Sequence, residues 1–145
     1  MAIAELSASA SDTYIGGVFY MVWFEAGDSS HQCGYVISDD ATSDEEVIVC
    51  ATGGTPFAVT ALQADLDIDT SVTAGNMYEY YALHAGTALR VGHDTDADAT
   101  FKGTAFIRSA AIAGLVESGT TAGLVVGYGL KTYDAAADKY VELIT

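Results

Sequence analysis

Three aspartates at alternate positions, Asp94, Asp96 and Asp98, are the residues of this sequence whose types and spacing best match a known chemistry. Alternate carboxylates open the calcium-binding loop of an EF-hand, which also needs glycine at its sixth position and glutamate at its twelfth. A loop that starts at Asp94 has Ala99 and Ala105 at those positions. An EF-hand is therefore excluded, and the alternatives are a looser calcium site or a solvated acidic turn, because aspartate is a favoured turn residue.

The remaining polar residues do not form a recognisable catalytic set. Acid–base catalysis by carboxyl groups needs one whose pKa is raised, usually by burial, whereas the acidic residues here fall in turn-like segments or on polar strand faces. His31, His84 and His93 have no serine or cysteine of a known nucleophile motif beside them. We expect a protein that is not an enzyme and that has no cofactor.

Cys33 and Cys50 lie in neighbouring strand-like segments, and two arrangements are open for them. Pairing of the strands would allow a disulfide, but its geometry cannot be read from spacing. Two buried free thiols are favoured, because free cysteine packs as a small hydrophobic residue. The sequence has no CxxC motif, and His31 near Cys33 does not complete a zinc site.

The charge balance narrows the classes of partner. The 145 residues include 20 acidic residues and 5 lysines and arginines, which gives a formal net charge of −15. Direct binding to nucleic acid is not expected, since phosphate recognition needs clustered basic residues. The excess of aspartate with few lysines is typical of proteins from halophilic archaea, where molar salt screens the repulsion. We expect a saline origin, with an ordinary acidic protein as the alternative.

The hydrophobic segments predict no membrane partner. The most hydrophobic run, residues 14–27, is too short to cross a bilayer as a helix. Residues 1–12 lack the charged start and apolar centre of a signal peptide. We expect one β domain over residues 1–145, with residues 1–12 as a candidate extended arm that pairs with a neighbour's sheet edge.

Apolar and polar residues alternate with a period of two along much of the chain, as they do in half-buried strands. Residues 62–72 (LQADLDIDTSV) place the apolar residues on one face and the acidic residues on the other. Further strand-like segments are 17–24, 33–38, 46–51, 56–61, 77–83, 88–93, 104–110, 123–134 and 139–144. We predict an all-β fold, a small antiparallel β-barrel or sandwich of about eight to ten short strands. Little helix is expected; residues 109–117 are a helix candidate, and residues 134–139 favour a turn.

Two groups of aromatic residues are candidates for a partner interface, Phe19 with Trp23 and Tyr78 with Tyr80 and Tyr81. On a strand, Tyr78 and Tyr80 face one side and Tyr81 the other. Protein interfaces favour such residues, because their rings combine a large apolar area with a polar tip. Aromatic side chains that fill the core of a small barrel are an equally supported alternative.

Two segments resemble a known protein family. Residues 53–67 (GGTPFAVTALQADLD) are similar to the "G-x-x-P-x-G-V-A" strand and following acidic stretch of small cement proteins of tailed viruses, with Ala58 in place of the pattern's second glycine. Residues 125–144 (VVGYGLKTYDAAADKYVELI) are similar to the closing strands of the same family.

The resemblance implies a capsid decoration (cement) protein of a tailed double-stranded DNA virus of a halophilic archaeon. Such a protein stabilises the shell from the outer capsid surface and has no catalytic residues. Its implied partners are the major capsid protein and copies of itself, as a homotrimer or another closed homo-oligomer.

Two alternatives to a decoration protein are open. One is another virion or cell-surface β-module, such as a tail-tube subunit, a turret or an adhesion domain. The other is an enzyme or calcium-dependent binding domain built on Asp94, Asp96 and Asp98.

Overall fold

Residues 13–63, 66, 70–94, 102–132 and 140–145 are described by a computed structural model, in which they form two β-sheets. This part of the chain contains strands and turns and no helix. In chain order the strands are β1 (Tyr14–Gly17), β2 (Met21–Ala26), β3 (Val36–Asp39), β4 (Glu46–Val49), β5 (Ala58–Thr60), β6 (Met77–Ala82), β7 (Thr87–Gly92), β8 (Ala105–Arg108), β9 (Val116–Ser118), β10 (Val125–Gly129) and β11 (Tyr140–Ile144).

Five strands form a closed barrel in the order β2-β4-β3-β5-β6, with β6 paired back to β2. Four of the five pairings are antiparallel, and β2 with β4 is parallel. A ring with an odd number of strands cannot alternate direction throughout, so one parallel pair is required. The predicted all-β barrel is confirmed, with this one departure from a purely antiparallel arrangement and with eleven described strands in place of about eight to ten.

The second sheet has six strands in the order β1-β7-β11-β10-β8-β9. Strand β1 precedes the barrel strands in sequence and β7 follows them, so the barrel is inserted between two paired strands of this sheet. The sheet curls, because His93 at the end of β7 forms a parallel bridge with Val116 at the start of β9.

Two hydrophobic clusters organise the interior. One fills the barrel and is made by side chains such as Ile37, Val47 and Tyr80. The other joins the two sheets, because it combines outward-facing barrel residues such as Val59 with residues such as Phe106 of the second sheet. Strands β3, β5 and β6 therefore bury side chains on both faces, and the outer face of β2 is left without such a cover.

The helix candidate is not confirmed. Residues 109–117 form a turn followed by β9, because the Gly114 amide donates its hydrogen bond to the distant Cys50 carbonyl at 2.9 Å. Gly114 then has a φ of 85°, outside the helical region. Much of the strand predicted over residues 62–72 lies outside the described residues; within the described part, the Leu66 amide bonds to the carbonyl of Gln63 at 3.0 Å.

Both cysteines are buried and reduced, as favoured from the sequence. Burial raises the pKa of the Cys50 thiol, and the nearby Arg108 guanidinium only partly offsets this. The thiol form is therefore stabilised, and both residues act as small core side chains. The candidate arm at residues 1–12 and the turn at residues 134–139 lie outside the described residues.

Candidate functional site

Most of the exposed large apolar side chains among the described residues lie on β2 or beside it. Four consecutive side chains, Val18 to Met21, are 36% to 60% exposed. Trp23 is 57% exposed and Met77 is 53% exposed. We call this group the apolar surface: Val18, Phe19, Tyr20, Met21, Trp23 and Met77. Contiguous apolar area of this kind is uncommon on proteins that act alone, and it marks sites of interaction.

Strand alternation places the apolar surface outside the barrel. On β2, Val22 and Phe24 pack against the barrel interior, so Met21 and Trp23 point outward. On the neighbouring β6, Met77 pairs with Glu25 and lies diagonal to Trp23 on the same outer face. Diagonal cross-strand side chains are close enough to touch when they are long. Trp23 and Met77 therefore lie next to each other on the outer face, beside the carboxylates of Glu25 and Glu79.

The segment between β1 and β2 is held in place by backbone and ring contacts. Gly17, with a φ of 86°, turns the chain at the end of β1. The Thr87 hydroxyl donates a hydrogen bond to the Val18 carbonyl. The Phe19 ring packs against Tyr14 and Tyr81, with centroid distances of 4.7 Å and 5.7 Å. These side chains are exposed although their backbone is fixed, which favours a preformed surface.

An open groove continues the apolar surface toward the loop between β3 and β4. The groove has a volume of about 280 Å³ and is lined by Trp23, Phe24, Glu25, Asp44, Glu45 and Met77. We call it the acidic groove, because three of its lining residues carry carboxylates. Asp44 and Glu45 lie in a turn-like segment of the sequence, and no spacing in the sequence links them to Trp23.

The five predicted interface residues fall into two groups. Phe19 and Trp23 belong to the apolar surface and are 46% and 57% exposed. Tyr78, Tyr80 and Tyr81 are at most 5% exposed. These three tyrosines are therefore buried core side chains, which is the alternative stated for them in the sequence analysis. The interface role of Phe19 and Trp23 stays a prediction.

The other members of the apolar surface were not singled out from the sequence. Val18, Tyr20 and Met21 lie within the most hydrophobic run, residues 14–27, and their sequence predicts a strand but not which side chains stay exposed. Their exposure depends on the outer face of β2 being uncovered, which is a property of the two-sheet arrangement. In the described part of the chain, no helix is long and apolar enough to span a membrane.

The predicted metal site is only partly described. Asp94 is 1% exposed, and its carboxylate accepts a hydrogen bond of 2.6 Å from the Ser109 hydroxyl. Its backbone amide donates to the Val116 carbonyl at 2.9 Å. Asp96 and Asp98 lie outside the described residues. Over the described ranges, no group of three or more possible metal ligands occurs. The hydrogen bond between Asp94 and Ser109 links the end of β7 to the turn before β9.

A chain of three polar residues inside the barrel has the form of a catalytic relay. His31 Nδ1 lies 2.8 Å from Asp28 Oδ1, and His31 Nε2 lies 2.8 Å from the Tyr80 hydroxyl oxygen. His31 and Tyr80 are fully buried. Burial raises the pKa of the Tyr80 hydroxyl, which opposes ionisation. The arrangement therefore gives the polar atoms of the buried His31 and Tyr80 side chains hydrogen-bond partners.

Asp28 anchors that chain to β4. Its other carboxylate oxygen accepts a hydrogen bond of 2.7 Å from the Val49 amide. Burial alone would raise the pKa of Asp28, but the hydrogen bonds from His31, Val49 and Ser30 outweigh it and lower the pKa. The Asp-x-x-His spacing of GDSSH was visible in the sequence, but only the fold shows that Tyr80 completes the set.

Comparison with known proteins gives a relationship of fold only. Neither a protein-family model nor a curated protein matches the chain. Among solved structures, the chain is similar to that described as "The crystal structure of head fiber gp8.5 N base in bacteriophage phi29", with a TM-score of 0.51 and 14% sequence identity. The similarity covers 86% of this chain and 93% of that chain. This protein therefore shares the overall β architecture of a phage head-fiber base.

Proposed function

We propose that this protein is a non-enzymatic structural protein of a virion, a decoration (cement) protein that binds the outer capsid surface and stabilises the shell. The fold similarity to nearly the whole of a phage head-fiber base is the observation that carries this proposal. The apolar surface supports it, because a preformed apolar face on a highly acidic molecule fits attachment to a second protein.

Attachment through the apolar surface leaves the acidic loops exposed to solvent. Aromatic and methionine side chains are enriched at the centres of protein interfaces. The proposed partners are the major capsid protein and further copies of this chain, as a homotrimer or another closed homo-oligomer. Light scattering of the purified protein in concentrated salt measures the oligomer: a discrete closed assembly agrees with the proposal, and a strict monomer contradicts its oligomeric part.

A base for a projecting structure, such as a turret, is the second candidate. The fold neighbour favours it, since that protein is the base of a head fiber. A decoration protein and a turret base both attach to the shell, but only the base carries a projection beyond it.

Electron microscopy of intact virions with an antibody against this chain separates the candidates. Label on the capsid supports the proposal, and density that extends outward from the labelled sites favours the turret base. Label confined to the tail would indicate a tail-tube protein. Virions without label would overturn a virion role.

The binding surface is tested by returning purified protein to capsids from which it has been stripped. We expect Trp23→Ser to weaken capsid binding at least about tenfold, because a buried aromatic anchor contributes strongly to an interface. Tyr128→Ser is the matched control, since Tyr128 is 48% exposed on the second sheet. Equal binding by the two variants would remove the apolar surface from the proposal. Thermal unfolding of both variants confirms that each is folded.

A further inference from the structure

We propose that the acidic groove accepts an arginine or lysine side chain from a partner protein. The inference deepens the proposed function, on which it rests, by stating the chemistry of the capsid segment that the apolar surface meets. The groove is lined by Trp23, Phe24, Glu25, Asp44, Glu45 and Met77.

The apolar walls match the stem of a long basic side chain. Trp23 and Met77 line the groove, and each is more than half exposed. Arginine and lysine cover apolar surface with their methylene groups while the charged end stays near water. An indole face also attracts a cation placed over it, and tryptophan is the strongest of the aromatic residues in this respect.

The carboxylates match the charged end. Glu25 projects from β2 beside Trp23, and Asp44 and Glu45 reach the same groove from the loop that precedes β4. Among the described residues, the ion pairs involve Asp28 and Glu142, and none involves the three groove carboxylates. A cation from outside would therefore meet three carboxylates that come from two separate elements.

Charge complementarity selects among possible occupants. Phosphate groups of nucleic acid or of an anionic membrane would be repelled by the carboxylates and by a net charge of −15. A second copy of this chain is an unfavourable source of the basic side chain, because the chain has five lysines and arginines among its 145 residues. A basic segment of a different protein fits both the groove and the charge of the molecule.

The test uses Trp23, the single tryptophan of the sequence, as a reporter inside the groove. The full chain is titrated at low ionic strength with a blocked Gly-Arg-Gly peptide, with the lysine peptide, and with a citrulline peptide as the neutral isostere. We expect saturable changes in tryptophan fluorescence with the two basic peptides and none with citrulline. A response to citrulline equal to that of arginine, or no response to any peptide, overturns the inference.

A matched pair of variants locates the site. Glu45→Gln should raise the dissociation constant of the arginine peptide about two- to fivefold, the effect of one exposed charge. Glu117→Gln removes the same charge from β9 and should leave the dissociation constant unchanged. Equal effects of the two variants would mean general attraction to an acidic protein and no site. A signal that appears with protein concentration alone, together with a rising mass, would assign the groove to a second copy and overturn the inference.

The peptide titration needs no capsid, so the cation site and the proposed function are tested independently of each other. Capsid binding without a peptide response removes the acidic groove and leaves the proposed function. A specific peptide response without capsid binding retains the cation site and removes the proposed function.

Discussion

Gly17 is the residue on which the position of the apolar surface depends most directly. It has a φ of 86°, and a Cβ atom added there would overlap the carbonyl oxygen of Gly86 in the turn between β6 and β7. Glycine is thus required both by backbone conformation and by a close approach of two backbone segments.

We predict that Gly17→Ala lowers the free energy of unfolding by about 1 to 3 kcal/mol. The added methyl group forces either the β1–β2 segment or the β6–β7 turn to move. Urea unfolding measures the change. Gly16→Ala is the control, since a Cβ atom there meets nothing within 4 Å. Equal stability of the two variants would show that the close approach at Gly17 is not maintained in solution.

Asp28 gives the fold a pH dependence whose direction follows from its hydrogen bonds. Its pKa is lowered from 3.8, so the folded state prefers the ionised carboxylate. The stabilisation is complete well above pH 3.8, and it is lost as the pH falls through the lower pKa of the folded state. The Asp28→Asn variant lacks this pH-dependent stabilisation. It also leaves either His31 or the Val49 amide without its hydrogen-bond acceptor, because an asparagine side chain has one oxygen.

We expect Asp28→Asn to be less stable than the natural protein by about 1 to 3 kcal/mol at neutral pH. The difference should narrow as the pH is lowered below 3.8, which urea unfolding at several pH values measures. Asp44→Asn, at an exposed loop position, serves as the control. A difference that is constant with pH would contradict the role of the ionised carboxylate.

The tyrosines of β6 show what strand alternation can and cannot predict. The sequence correctly places Tyr78 and Tyr80 on one face and Tyr81 on the other. Tyr78 and Tyr80 belong to the barrel cluster, and Tyr81 belongs to the cluster that joins the sheets. Alternation predicts which side chains share a face of a strand. It does not reveal that a second sheet covers the face of β6 that carries Tyr81.

At the scale of elements, the turn before β9 is fixed by the side chain of Ser109. Its hydroxyl donates to Asp94 and accepts from the amides of Ala111 and Ile112. The two amide bonds resemble those of a helix N-cap. The apolar and small residues of this segment are compatible with a helix, but the φ of 85° at Gly114 and the bond from its amide to the Cys50 carbonyl end it after one turn.

We predict that Ser109→Ala lowers the free energy of unfolding by about 1 to 3 kcal/mol, because it withdraws a buried hydrogen-bonding group from three partners. Chemical denaturation gives the value. Ser118→Ala, at an exposed position of β9, should change stability little. Hydrogen exchange at the amides of residues 111 and 112 should become faster in the Ser109 variant alone, and unchanged exchange would argue against the turn.

Local patterns predicted most strands but not their neighbours. The run MYEYYAL marks β6 because it is rich in aromatic residues, which favour strands. Strands β1 and β9 were not predicted, since four and three residues are too few to show a period. The parallel pairing of β2 with β4 could not be read from either segment, because it follows from closing a ring of five strands. The apolar surface depends on that ring and was predicted only through Phe19 and Trp23.

At the scale of the whole molecule, the net charge of −15 sets the response to salt. Like charges repel more strongly in the compact state, and salt screens them over a distance of about 10 Å at 0.1 M and about 3 Å at 1 M. A saline origin, which we expect from the composition, would place the protein where this repulsion is screened.

We predict that raising sodium chloride from about 0.1 M to about 1 M increases the melting temperature by at least about 2 to 5 °C, which corresponds to about 1 kcal/mol for a chain of this size. Differential scanning calorimetry measures the change. Sucrose of equal osmolality is the control, since it acts by exclusion and does not screen charge. A melting temperature that does not respond to salt would count against a repulsion-limited fold.

The strand order of the second sheet has a consequence for synthesis on the ribosome. Strand β11 is formed by residues 140–144, yet it lies between β7 and β10. The barrel strands all lie before residue 83, so their pairing partners emerge early. The six-stranded sheet is complete only when β11, the last of the described strands in chain order, is available. A nascent chain therefore passes through a stage at which all barrel strands have been translated and β7 can pair with β1 but not yet with β11, and residues 140–144 then join β7 to β10.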